Sequence, residues 1–204
     1  MDDIYCYSFV EDEPTAAVAK RLVELRNMQH RYKVFFVDGF PRVTGGFGDL
    51  KKKCPDLLKM ASAGLHAFVI TDLDAGACAG ELINDWFNAP PPLPGELVFR
   101  VAVREVESWI LADVNAWASF IGIPVANFSA SPDDLADPKR HLLTVIQQKG
   151  RQKRHKDMLP RETASIGPRY NEVLCDFIID GWSPARAAKN SPSLRRAINA
   201  LDRL

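Results

Sequence analysis

Along the first hundred residues, short apolar runs alternate with amphipathic stretches, the pattern of β-α-β units that assemble a parallel sheet. IYCYSFV (4–10) reads as a buried strand. Pro14 and Thr15 then open a helix whose apolar face is Ala17, Val18, Leu22 and Leu25. KVFFV (33–37) is a second strand, HAFVIT (66–71) a third and LVFRVAV (97–103) a fourth. The glycine-rich loop GFPRVTGGFGD leads into a helical stretch over 50–60, and the helix after the third strand carries Cys78, Leu82, Ile83 and Trp86 until the proline cluster APPPLPGE (89–96) stops it.

From Glu105 onward the strand signal disappears. Val106, Ile110, Val114, Trp117 and Ile121 recur at helical spacing on one face. Three helix starts use one device, a capping side chain followed by proline: Asp137-Pro138, Ser183-Pro184 and Ser191-Pro192. The pattern predicts an α/β fold: a mainly parallel, Rossmann-like sheet of about four strands between helices over 1–104, with a helical C-terminal extension over 105–204 packed on it.

Composition narrows this reading. A chain of 204 residues with 47% hydrophobic content buries about 70% of its unfolded surface, enough to fold without disulfides or a structural metal. The start, MDDIYCYSFV, is acidic where a signal peptide is basic, and no apolar run approaches the ~20 residues that span a bilayer, so a soluble cytoplasmic protein is expected. Cys6, Cys54, Cys78 and Cys175 form no C-x-x-C pair and read as reduced, mostly buried thiols. The zero formal net charge hides a division: residues 1–110 hold 16 acids and 12 bases, residues 111–204 hold 10 and 14. Seven of those bases (Lys139, Arg140, Lys149, Arg151, Lys153, Arg154 and Lys156) fall in one stretch that contains no acid, a composition suited to anions.

Ligands of open parallel sheets gather at the carboxyl ends of the strands. There the first strand exits at Glu11, the third at Asp72 and Asp74, and the fourth into Arg104, Glu105 and Glu107. Carboxylates crowded on one sheet edge repel one another, and a hard divalent cation with oxygen ligands is the usual remedy. Each acid also has a plainer reading. Glu11, Asp12, Glu13, Glu105 and Glu107 all stand near helix N-termini, where any acid gains from the macrodipole, and Asp72 is placed to cap the helix that follows. The conjunction of a strand-end glutamate with a strand-end D-x-D favours the metal site.

These residues resemble a family. F-V-E-D-E-P-T after the first strand and V-I-T-D-L-D at the end of the third resemble the Toprim domain of topoisomerases, bacterial primases, OLD-type nucleases and small RNA-maturation nucleases. R-V-A-V-R-E-V-E-S-W-I-L-A-D (100–113), D-P-K-R (137–140) and S-P-S-L-R-R (191–196) resemble a bacterial domain-of-unknown-function family of small stand-alone Toprim-like proteins. The resemblance spans nearly the whole chain. It implies a Mg2+- or Mn2+-dependent nuclease acting on DNA or RNA, with Glu11 as metal ligand or general acid/base and Asp72 and Asp74 holding the metal. Glu105 and Glu107 match the further acids of the OLD-type two-metal arrangement, and Lys139 is the candidate for the basic residue that completes such sites. Many nuclease members have glycine where this chain has Asp12, a departure that bears on the local loop. Family members are often encoded beside an ATPase and associated with defence against phage, so a separate ATPase subunit is an expected partner. A non-catalytic Toprim-fold subunit docking on that ATPase is the alternative. The oligomeric state is left open.

Other motifs carry less. The run KGRQKRHK, with Lys149, Arg151, Lys153, Arg154 and Lys156, reads either as a solvated loop or as a nucleic-acid contact through phosphates, and contains no aromatic residue for base stacking. Gly76-Ala77-Cys78-Ala79-Gly80 matches G-x-C-x-G, but DLDA separates it from the strand end where a nucleophile elbow requires the residue. The four tyrosines read as packing residues, and the four histidines as structural or exposed ones. The loop GFPRVTGGFGD lacks the Gly-Lys-Ser/Thr of a P-loop, so no ATP hydrolysis is expected of this chain alone.

Overall fold

A computed structural model describes residues 2–88 and 92–204. In β1 (Ile4–Val10), Cys6, Ser8 and Val10 are buried on one face while Tyr5, Tyr7 and Phe9 remain at least partly open on the other, the alternation of a pleated strand. Asp12 caps α1 (Glu13–Gln29), accepting from the Thr15 amide at 2.9 Å and the Thr15 hydroxyl at 2.6 Å. Pro14 sits in the first turn, where a missing N–H costs nothing. There follow β2 (Val34–Phe36), β3 (Arg42–Val43), α2 (Phe47–Lys52), α3 (Cys54–Ser62), β4 (His66–Asp72), α4 (Ala79–Phe87) and β5 (Leu97–Ala102).

The five strands form one parallel sheet in the order β2-β1-β4-β5, with β3 pairing with β1 beyond the end of β2. The α/β class and the parallel sheet agree with the sequence pattern. The fifth strand is a difference: β3 is two residues inside the glycine-rich loop, too short to carry any alternation. The single helix expected over 50–60 is two helices meeting at Lys53. Pro55 in the first turn of α3 explains the break, since its ring excludes a carbonyl one turn back. Of the proline cluster, residues 89–91 lie outside the described residues.

The back half contributes α5 (Val106–Leu111), α6 (Val114–Ile121), α7 (Pro138–Lys149), α8 (Lys153–Lys156), α9 (Tyr170–Asp180), α10 (Pro184–Ala187) and α11 (Pro192–Leu201). The apolar stripe from Val106 to Ile121 is buried, but over two helices separated at Asp113, whose buried carboxylate takes a bidentate bond from Arg186. All three expected caps form: Asp137 accepts from the Arg140 amide, Ser183 from the Arg186 amide and Ser191 from the Leu194 amide.

Two apolar layers cover the sheet. On one face α1, α5, α9 and α11 enclose Val10, Phe68, Ile70, Trp109, Trp117 and Phe177. On the other, α2, α3 and α4 bring Leu50, Leu57, Trp86 and Phe87 against Val69 and Phe99. Burying one such Leu or Phe contributes about 1.5–3 kcal/mol. The back half is thus itself a covering layer of the sheet, and two of its buried tryptophans are satisfied within that layer: Trp109 Nε1 donates to Ser193 Oγ at 2.7 Å and Trp182 Nε1 to the Trp109 carbonyl at 3.1 Å. All four cysteines are free, with Cys6 and Cys54 buried. Among the described residues no helix is long and apolar enough to cross a membrane.

Candidate active site

Because β1, β4 and β5 run parallel, their carboxyl ends share one edge, and the following side chains meet there. Glu11, one residue beyond β1, turns toward β4: Oε1 accepts from the Thr71 hydroxyl and from the Asp72 amide at 3.1 Å. Burial raises its pKa above the usual carboxylate range, and Asp74 and Asp12 add to the rise against the two hydrogen bonds. Asp72, the last residue of β4, accepts from the Val106 amide at 2.8 Å and so caps α5. Its pKa is pushed well up by burial first, then by Glu107, Glu11 and Asp12, with Lys139 opposing.

Glu105 and Glu107 flank the start of α5. The Lys139 amide donates to Glu105 Oε2 at 2.9 Å, so this carboxylate sits on the first turn of α7. Glu107 is 1% exposed. Its Oε1 accepts from Tyr170 Oη at 2.8 Å and lies 3.4 Å from Lys139 Nζ, while its Oε2 is buried without a partner among the described residues. Lys139 Nζ also stands 3.9 Å from Glu105 Oε1. Glu11, Asp72, Glu105, Glu107 and Lys139 are therefore one electrostatic unit.

Asp74 is placed differently. It is exposed, in the left-handed region at φ 49, a conformation that aspartate tolerates better than most residues. Its amide donates to the Arg104 carbonyl at 2.9 Å, and the Arg104 guanidinium clamps the Asp74 and Gly76 carbonyls. Asp74 raises the pKa of Glu11 and Glu105 as a neighbouring charge. A cavity of about 520 Å³ opens beside the unit, lined in part by Glu105, Asp137, Lys139, Arg140, Thr144 and Gln147.

Two contributors escaped the sequence reading. Tyr170, expected only to pack, is buried and donates to Glu107; Thr71 orients Glu11. Neither has a spacing signal, since the two residues stand 63 and 60 positions from their partners in the chain. Asp12, the departure from the nuclease pattern, is occupied as the α1 cap. Cys78 is exposed and caps α4, accepting from the Glu81 amide, in keeping with its position away from the strand end.

The basic run follows α7. Lys149, Arg151, Lys153 and Lys156 are exposed, whereas Arg154 is half-buried, bonded to Asp176 and stacked over Phe120 with 5.7 Å to the ring centroid. Arg154 is thereby taken out of the candidate nucleic-acid set as an anchor of α8.

As the side chains stand, no three His, Cys, Asp or Glu among the described residues gather closely enough to hold a metal ion. Glu11 and Asp72 are directed at backbone groups, and the Lys139 ammonium lies between Glu105 and Glu107. The donor chemistry nonetheless suits a hard cation: every candidate ligand is a carboxylate oxygen, and Glu107 Oε2 is a buried acceptor with nothing to accept. No known family model, curated protein or solved structure matches the chain.

Proposed function

We propose that the protein is a Mg2+- or Mn2+-dependent phosphodiesterase of Toprim type that cleaves DNA or RNA. The observation that supports it is the set of carboxylates leaving β1, β4 and β5 on one edge, where Glu11 and Glu107 raise the pKa of Asp72 and Glu105 that of Glu107, with Glu107 Oε2 left without a partner among the described residues. Asp72 and Glu107 would hold the cation, and Asp74 and Glu105 add charge around them. When bound, such a cation lowers the pKa of water and stabilises the leaving oxygen of a phosphodiester.

The chain's own residues do the rest. Glu11, with its raised pKa, takes the proton of the attacking water, and Thr71 and the Asp72 amide fix its Oε1 while it does so. Lys139 presents an ammonium to the charge that develops on the phosphoryl oxygens, and Glu107 positions that ammonium. The exposed Lys149, Arg151, Lys153 and Lys156 neutralise flanking phosphates.

A second reading is favoured by the Lys139–Glu105–Glu107–Tyr170 network, in which an ammonium and a hydroxyl already answer the buried carboxylates without a metal. In it the protein is a non-catalytic subunit docking on an ATPase partner. Cleavage of mixed DNA and RNA substrates with Mn2+, with and without a neighbouring ATPase, separates the two. Glu11→Gln keeps size and the Thr71 bond yet loses the base, and should slow cleavage by about 10²–10⁴-fold. A wild type that cleaves nothing, or a variant as fast as wild type, removes the nuclease reading.

A further inference from the structure

Helices α2 and α3 cover the β4 and β5 portion of their sheet face and leave the β1–β2 portion open. On that open portion stand Tyr5 and the half-buried Tyr7 of β1 and Phe35 of β2, the last beside Tyr5 in the strand register, while Phe9 of β1 is partly buried against the core of the covered portion. Tyr5 is 66% exposed and Phe35 44%, with ring centroids 6.1 Å apart. Phe40 closes the row, edge-on to both Tyr7 and Phe9 at 5.2 Å. The expectation that Tyr5 packs in the interior is corrected here: as the second residue of a strand next to the sheet edge it reaches beyond the covering helices. Two cations border the rings, Arg42 at 5.1 Å from the Phe40 centroid and Lys53 at 5.3 Å from that of Phe9. Nearby Lys51, Lys52 and Lys59 are spent on Asp85, Asp49 and Asp56, whereas neither Arg42 nor Lys53 enters an ion pair among the described residues.

We propose that this aromatic face binds single-stranded nucleic acid, with bases stacked on Tyr5, Tyr7 and Phe35 and phosphates on Arg42 and Lys53. A purely apolar partner would leave the two cations desolvated and unpaired, and an acidic one would leave the rings uncovered; a nucleic-acid strand supplies a π-face and an anion together. Geometry favours an unpaired strand over a duplex. Alternate residues of β1 are about 6.6 Å apart, roughly twice the 3.4 Å rise per nucleotide of a duplex strand, so consecutive rings match an extended strand whose bases are open for stacking. The row also has a direction, since Phe9 is two residues before Glu11 and a strand laid along β1 reaches the acidic edge. That last step rests on the phosphodiesterase reading; the platform itself does not.

Binding of a fluorescein-labelled oligothymidylate, read by anisotropy in EDTA so that no cleavage occurs, tests the proposal. Wild type should bind it, and an unlabelled duplex should compete poorly. Tyr5→Ala with Phe35→Ala, both at exposed rings, should weaken binding by on the order of a hundredfold, about tenfold for each stacking surface. Arg42→Gln with Lys53→Gln should flatten the dependence of affinity on salt. Circular dichroism and melting of each variant confirm that the fold persists. No binding by wild type, or equal affinity in the folded Tyr5→Ala/Phe35→Ala variant, overturns the proposal. Sedimentation of wild type as a dimer that the same variant dissociates, together with no oligothymidylate binding, also overturns it and assigns the face to a second copy of the chain. Intact binding with no cleavage in Mn2+ would remove the nuclease reading and leave the platform standing.

Discussion

Lys139 holds its ammonium 3.4 Å from Oε1 of Glu107, a carboxylate that is 1% exposed and belongs to a different helix. The Lys139 backbone amide at the same time donates to Glu105. One residue of α7 thus answers two acids at the start of α5, and the Lys139–Glu107 pair occupies the centre of the candidate site. Both pKa values rise, which disfavours the charged form of Glu107 and favours that of Lys139. Burial, reinforced by Glu105, pushes the Glu107 carboxyl up to about 7 although Lys139 and Tyr170 pull it down, whereas Lys139 is held above the usual lysine range by Glu107, Glu105 and Asp72 against the cost of its own burial. Burial of Glu107 therefore outweighs its pairing.

The first prediction follows from that balance. A carboxyl whose folded pKa is raised stabilises the fold most below its unfolded value near 4.5, and that contribution is lost as pH rises through about 7. Lys139→Met strands the Glu107 carboxylate and should cost about 3 kcal/mol near pH 8, the low end for a broken buried pair because Lys139 is partly solvated. The loss should shrink near pH 5, where Glu107 takes a proton, and Lys139→Met/Glu107→Gln should recover most of it. Urea denaturation at both pH values measures this; an equal loss at the two would show that charge is not the cause.

Metal binding is the second. Millimolar Mg2+ or Mn2+ should raise the melting temperature, since a ligand that binds only the folded state stabilises it by mass action. Asp72→Asn with Asp74→Asn should abolish the rise. Asparagine retains the α5 cap that Asp72 provides and tolerates the left-handed backbone of Asp74, so the variant should fold. A shift that survives in it places any metal away from this edge.

His155 supplies a third. It is buried under Phe120, its Nδ1 has no partner among the described residues, and burial followed by the adjacent Arg154 lowers its pKa below 6.5, partly offset by a hydrogen bond to the Ile121 backbone. The unfolded chain then binds the proton more readily than the fold. The stability this group contributes is complete above about pH 6.5 and lost as pH falls through the lower folded value. His155→Phe should flatten the fall in melting temperature between neutral and mildly acidic pH, and an unchanged slope would acquit this residue.

The basic run gives the fourth, because its members divide. Lys149→Ala, Arg151→Ala and Lys153→Ala together should leave the melting temperature within a degree or so while weakening nucleic-acid binding and flattening its salt slope. Arg154→Ala should instead lower stability by about 1 kcal/mol, through loss of the Asp176 bond and the cover over Phe120. A triple variant that binds as wild type does would assign the exposed cations to solubility.

Periodicity alone determined the α/β class, the four longer parallel strands and the proline-marked helix starts at Pro138, Pro184 and Pro192, because each is a local matter of alternation, apolar spacing or a capping side chain. It also put Glu11, Asp72, Asp74, Glu105 and Glu107 at strand exits, since a parallel sheet brings those exits to one edge whatever the helices do. Tertiary packing decided the rest. The Glu107 bonds to Lys139 and Tyr170, the diversion of Arg154 to Asp176 and the exposure of Tyr5 and Phe35 all depend on which helix covers which strip of the sheet. Those contacts join residues far apart in the chain and are selected by burial and shape, quantities that no window of sequence contains.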